Sequence, residues 1–136
     1  MTLVVDASAT VAALVDAGPD GHWARAALGR AGLVAPHLMP VEAANILRRA
    51  VLGGDLTSDT GAMAHADLID LRIELFPYEP FADRVWQLRD NLSSYDAWYV
   101  ALAEELDADL VTLDARIARA PGLRCAVRLP GASPSR

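Results

Sequence analysis

Short continuous apolar runs separated by helical patterns predict an α/β domain built on a parallel sheet that is covered on both faces. Two further observations support this. Hydrophobic residues make up 53% of the chain and charged residues only 22%, enough apolar side chain for a core. The length of 136 residues suits one domain with a radius of gyration of about 14 Å.

In chain order, the strand-like runs are Leu3 to Val5, Leu33 to Ala35, Ile73 to Phe76, Leu110 to Leu113 and Cys125 to Val127, each bounded by polar or turn-forming residues. Between them, Ala, Leu, Arg and Glu recur at helical spacing near residues 8 to 16, 20 to 30, 41 to 53, 58 to 71, 81 to 90 and 95 to 107. Pro40 suits the first position of the third helix, and Ser93 or Ser94 can cap the last. Only residues 130 to 136 have the Pro, Gly and Ser content of a loose tail, so a domain over 1 to 129 followed by a flexible end is expected.

Composition removes several functions. All 12 basic residues are arginine, which excludes the P-loop lysine, Schiff-base lysines and the protein-kinase lysine together. A net charge of -6 argues against general charge-driven binding to nucleic acid or anionic membrane, so any nucleic-acid contact must be local. No apolar run approaches the roughly 18 residues of a membrane span, and the N-terminus runs into a strand without a basic leader. One cysteine, Cys125, and no zinc-ligand spacing fit a reducing cytoplasm, with Cys125 a buried small hydrophobe.

Open parallel sheets bind ligands beyond the carboxyl ends of their strands, and four acids are expected there. Asp6 ends the first run and Asp114 the fourth. Glu42 stands two residues after Pro40, at the start of a helix that follows the second strand closely. Asp96 opens a helix of roughly 18 Å that crosses the sheet back to Leu110, so its beginning lies at the carboxyl edge. Each acid also has a plain structural use: Asp6 and Asp114 as helix caps, Glu42 and Asp96 as first-turn acids facing a helix dipole. Those uses leave Ser8, two residues after Asp6, and Thr112, two before Asp114, without a reason. Four crowded carboxylates must take up protons or be compensated by a cation, and hard oxygen donors suit Mg²⁺ or Mn²⁺.

The segments Val4-Val5-Asp6-Ala7-Ser8, Pro40-Val41-Glu42, Ser94-Tyr95-Asp96-Ala97 with Tyr99 to Glu104, and Leu110-Val111-Thr112-Leu113-Asp114 resemble those of the PIN-domain ribonucleases. Within that family the match is to VapC-type toxins of bacterial toxin-antitoxin pairs, from about residue 2 to residue 128. The resemblance implies a five-stranded parallel sheet of order 3-2-1-4-5, a homodimer, and a divalent-metal site at Asp6, Glu42, Asp96 and Asp114. It also implies an endoribonuclease that cuts structured cellular RNA, tRNA or rRNA, by in-line hydrolysis. A VapB-type antitoxin is the implied partner, its tail folding onto the helices near 41 to 53 and 58 to 71 and plugging the acids with arginine. Trp98 is bulkier than the small or aliphatic residue expected beside the Tyr-Asp-Ala motif.

In this reading Asp6 and Asp96 are the primary ligands. Asp114 and Glu42 hold a second ion or bind the first through its waters, and Ser8 and Thr112 orient the ligands. Without lysine, activation of the attacking water falls to the metal. Arg48, Arg49, Arg84, Arg89, Arg116 and Arg119 are the natural phosphate contacts, though most read as a solvated face, and Arg89, just before Asn91 and the Asp96 helix, is the one expected to touch RNA. His22, His37 and His65 fall in no metal spacing, and Trp23, Trp86 and Trp98 read chiefly as core. A receiver-like fold would require a lysine, and a phosphatase Asp-x-Asp pair an acid where Ser8 stands. The remaining rival is a catalytically inactive PIN-like module that binds an arginine-bearing partner.

Overall fold

In the computed structural model, which describes residues 1 to 131, five strands form one parallel sheet of order β3-β2-β1-β4-β5. The strands are β1 (Thr2–Val5), β2 (Gly32–Pro36), β3 (Ile73–Phe76), β4 (Asp109–Val111) and β5 (Val127–Arg128). The helices are α1 (Ala7–Val15), α2 (Pro19–Leu28), α3 (Met39–Leu52), α4 (Ser58–Asp70), α5 (Ala82–Gln87), α6 (Ser94–Glu105) and α7 (Ala115–Arg119), with a 3-10 turn (Glu79–Phe81) before α5. Strand order and parallel pairing are those the resemblance implied. The expected tail lies, from residue 132 on, outside the described residues. Among the described residues no helix is long and apolar enough to cross a membrane.

Alternate residues of β1 explain why the sheet needs cover on both faces. Val4 joins a large cluster with Val34, Leu110, Val127 and residues of α3, α5 and α6. Leu3 and Val5 point the other way, into a smaller cluster with Ala9 and Val111 against the partly buried Trp23 and Leu28. A strand buried on both faces reads as an unbroken apolar run. α1 and α2 approach so closely that a Cβ on Gly21 would fall 1.8 Å from the Asp16 carbonyl oxygen, so only glycine fits there.

Three elements differ from expectation. β4 stops at Val111 rather than Leu113, because Thr112 turns its hydroxyl to the site and only its amide continues the ladder, donating to the Arg128 carbonyl. Cys125 precedes β5 instead of opening it; it is buried as expected, and burial pushes its thiol up to about 11. α7, five residues capped by Asp114, carries too short an apolar pattern to predict.

The placement of α6 fixes the site. Ser93 caps it, accepting from the Asp96 amide at 3.1 Å. Its far end is clamped by Arg84 of α5, whose Nε and terminal nitrogen donate to Glu104 at 2.7 and 3.1 Å while the same nitrogen also reaches the Gly122 carbonyl. Asp107, with φ of 49°, then turns the chain directly into β4, so α6 begins at the carboxyl edge.

Candidate active site

Beyond the carboxyl ends of β1, β2 and β4 lies a cavity of about 340 Å³ lined by Asp6, Glu42, Asp96 and Asp114, together with Ser8, Asn45, Arg49, Tyr99 and Arg116. The four acids come from four elements: the end of β1, the first turn of α3, the first turn of α6, and the cap of α7.

Asp6 is the best anchored. Its amide extends the β1-β4 ladder by donating to the Val111 carbonyl at 3.2 Å, which holds the buried residue at the sheet edge. One carboxylate oxygen accepts from the Ser8 hydroxyl at 2.7 Å and from the Ala9 amide at 2.9 Å, and the other accepts from the Thr112 hydroxyl. Thr112 accepts in turn from the Asp114 amide at 2.9 Å, and Ser8 from the Leu113 amide at 3.1 Å. Ser8 and Thr112 thus lace the β1 and β4 edges together around Asp6. Asp6 and Asp114 do cap their helices as well, so the structural and the site use coexist in one residue.

The electrostatics divide the acids. Burial, partly countered by these hydrogen bonds, raises Asp6 to about 6, with the Asp96 charge adding to the rise. Glu42 and Asp96 are also raised, chiefly by burial and then by the charges of Asp96 and Asp114 respectively. Desolvation therefore dominates where mutual repulsion was expected. Asp114 moves the opposite way, lowered by Arg116, which forks onto both carboxylate oxygens at 3.1 and 2.8 Å.

Tyr99, one turn past Asp96 on α6, donates its buried hydroxyl to Glu42 Oε1 at 2.6 Å and is itself raised by burial and by that hydrogen bond. Its place on the site was missed, although the spacing of three from Asp96 puts both on one helix face. Arg89 stands apart from the cavity lining, its guanidinium 4.9 Å from the Trp86 ring centre and donating to the Trp86 carbonyl. Trp86 is 65% exposed, against the core reading, while Trp98 packs edge-on to Tyr78 at 5.3 Å with its buried indole nitrogen lacking a hydrogen-bond partner among the described residues. The three histidines are exposed.

The donor set fits a divalent cation. It consists of hard carboxylate oxygens, and Asp6, Glu42 and Asp96 make no ion pair among the described residues. Among the described residues no three donors are drawn together closely enough to hold an ion, and Tyr99 and Arg116 hydrogen-bond to oxygens of Glu42 and Asp114.

An acid-lined cavity at the carboxyl edge of a 3-2-1-4-5 sheet defines the class, and the PIN domain family model matches residues 3–123. The chain is 42% identical over 127 residues to ribonuclease VapC1 of Mycobacterium tuberculosis, covering 93% of this chain and 96% of that one. It belongs to the PIN-domain family, and within it to the VapC-type ribonucleases. The same fold recurs in the crystal structure of M. tuberculosis VapC20, a sarcin-ricin loop cleaving toxin, with a TM-score of 0.66 at 12% identity, covering 85% of this chain and 92% of that one. It recurs also in VapBC2 from Rickettsia felis bound to a DNA fragment from its promoter, with a TM-score of 0.64 at 13% identity and coverage of 93% and 98%.

Proposed function

We propose that the chain is a metal-dependent endoribonuclease toxin that cuts structured cellular RNA, tRNA or rRNA, by in-line hydrolysis of a phosphodiester. The observation that carries this reading is the meeting of four acids from four elements on one cavity, three of them raised and without a cationic partner. Asp6 and Asp96 would hold Mg²⁺ or Mn²⁺, with Glu42 and Asp114 holding a second ion or binding the first through its waters. When bound, the ion supplies Lewis-acid neutralisation of the phosphate and activation of water. Ser8, Thr112 and the Ala9 amide keep the Asp6 oxygens fixed, and Tyr99 fixes one oxygen of Glu42, a residue of the cavity lining. The chain has no lysine to act as a base. Arg89, outside the lining, would meet RNA that flanks the reacting phosphate.

The partner in this reading is a VapB-type antitoxin, a pairing that VapBC2 carries in its name, acting in the cytoplasm on a homodimeric toxin. Its tail would seat an arginine on the acids, in competition with metal. The Asp114–Arg116 pair is the observation behind a second reading, an inactive PIN-like module that binds an arginine-bearing partner. Incubation of the purified chain with total cellular RNA and Mg²⁺ or Mn²⁺, followed by sequencing of RNA ends, separates the two. Discrete cleavage that EDTA abolishes supports the nuclease, and intact RNA with both metals overturns it. If the antitoxin tail binds equally well to a chain neutralised at Asp6, Glu42, Asp96 and Asp114, the arginine plug is wrong.

A further inference from the structure

A chain of net charge -6 with four acids in its cleft repels the polyanion it is proposed to cut. Two arginines line that cleft, from different walls. Arg49 comes from α3, seven residues past Glu42 and therefore on the same helix face about 10 Å further along the axis, with Asn45 and Ile46 between them on the lining. It is exposed and makes no ion pair among the described residues. Arg116 comes from α7. Its side chain is 79% exposed even while it forks onto Asp114, so the guanidinium can leave that carboxylate without repacking anything.

We propose that Arg49 and Arg116 are substrate-positioning residues that bind RNA phosphates on the two sides of the acidic centre. Planar guanidinium forks match phosphate oxygens, and a pair on opposite walls supplies the local positive potential that the overall charge denies. Arg116 has two partners in sequence. It neutralises Asp114 before a cation arrives, and a cation that takes the Asp114 carboxylate frees the fork for phosphate. This rests on the metal-nuclease reading for Asp114, while the role of Arg49 needs only that RNA enters the cleft.

The test uses two readouts. The first is anisotropy of a fluorescein-labelled, mixed-sequence 12-nucleotide RNA on a chain carrying Asp96→Asn and Asp114→Asn, which silences cleavage and releases Arg116. Adding Arg49→Ala or Arg116→Ala is expected to weaken binding about 5- to 20-fold, and to flatten the slope of log affinity against log salt by about 0.7 for each phosphate no longer held. Arg30→Ala removes the same charge just before β2, at the opposite edge of the sheet, and should leave that slope in place. Slopes for Arg49→Ala and Arg116→Ala that match Arg30→Ala overturn the proposal. The second readout is calorimetric Mn²⁺ titration of the otherwise unaltered chain without RNA. Arg116→Ala should tighten Mn²⁺ binding several-fold, because Asp114 loses its competitor, and an unchanged or weaker affinity overturns the alternation of partners. If the unaltered chain takes up no Mn²⁺, the metal reading fails by itself, and the salt slopes still decide the arginines.

Discussion

The phenol of Tyr99 donates to Glu42 Oε1 at 2.6 Å across 57 positions of sequence, joining the first turn of α3 to the second turn of α6. The bond leaves Glu42 with one committed oxygen, and it sets where α3 presents its acid to the cavity. Tyr99→Phe keeps the packing of a buried ring and removes only this donor. Glu42 should then lose its fixed orientation, and Mn²⁺ affinity measured by calorimetry should fall about 3- to 10-fold with the circular dichroism spectrum unchanged. Unaltered affinity would show that Tyr99 only fills space.

Loss of any site acid should silence the nuclease. Asp6→Ala, Asp96→Asn and Asp114→Asn are each expected to abolish RNA cleavage, and Glu42→Gln to impair it severely. Below about pH 5, where its carboxyl is not charged at the expense of burial, Asp6→Ala should also lower stability by about 1 to 2 kcal/mol, because it removes the cap of α1. Denaturant melts beside the cleavage assay distinguish the two effects, and cleavage at near wild-type rate by the Asp6 variant would defeat the mechanism.

Metal should stabilise the folded chain. Saturation at 100 times Kd adds about 2.7 kcal/mol, so Mg²⁺ or Mn²⁺ should raise the melting temperature at neutral pH, and Asp96→Asn should remove most of that response. A flat melting temperature with both ions would count against the site.

The metal-free chain should lose stability as pH rises through about 6. Burial raises Asp6 from 3.8 to about 6 in the folded state, so the folded chain holds a proton that the unfolded chain has released. That contribution is complete below about pH 4, and its loss by pH 7 is worth about 3 kcal/mol. Glu42 and Asp96 shift in the same direction, whereas Asp114 is lowered and stabilises at higher pH, losing its part only as acid protonates it. Asp6→Asn, which keeps an oxygen for the Ala9 amide, should flatten the slope between pH 4 and 7 in urea melts. A slope identical to wild type would place the proton elsewhere.

The candidate site's acids were legible because Asp6 and Asp114 follow strands directly, Glu42 opens the helix after β2, and the length of α6 carries Asp96 to the carboxyl edge. Ser8 and Thr112 were legible by their offset of two from Asp6 and Asp114. Tyr99 was not, since a tyrosine within Tyr-Val-Ala-Leu-Ala reads as core and is in fact 2% exposed. Which arginine lines the cleft was not legible, for another reason. Arg89 is near the Asp96 helix in sequence, but the turn after α5 directs it onto Trp86, while the helical period of α3 carries Arg49 to the cleft. α7 and the early stop of β4 turn on hydrogen bonds of Asp114 and Thr112 that composition does not encode.

Asp6 serves at once as a helix cap, as the tie between β1 and β4, and as the deepest acid of the cleft, and these uses pull its effect on folding in opposite directions. In a cell that has lost its antidote, selection favours alleles that disarm the nuclease. Near neutral pH the α1 cap lost on replacing Asp6 is offset by relief of a buried charge, so such alleles should yield protein that still accumulates. Among silenced copies of this gene, proteolysis should therefore not weed out changes at Asp6 relative to changes at Asp96.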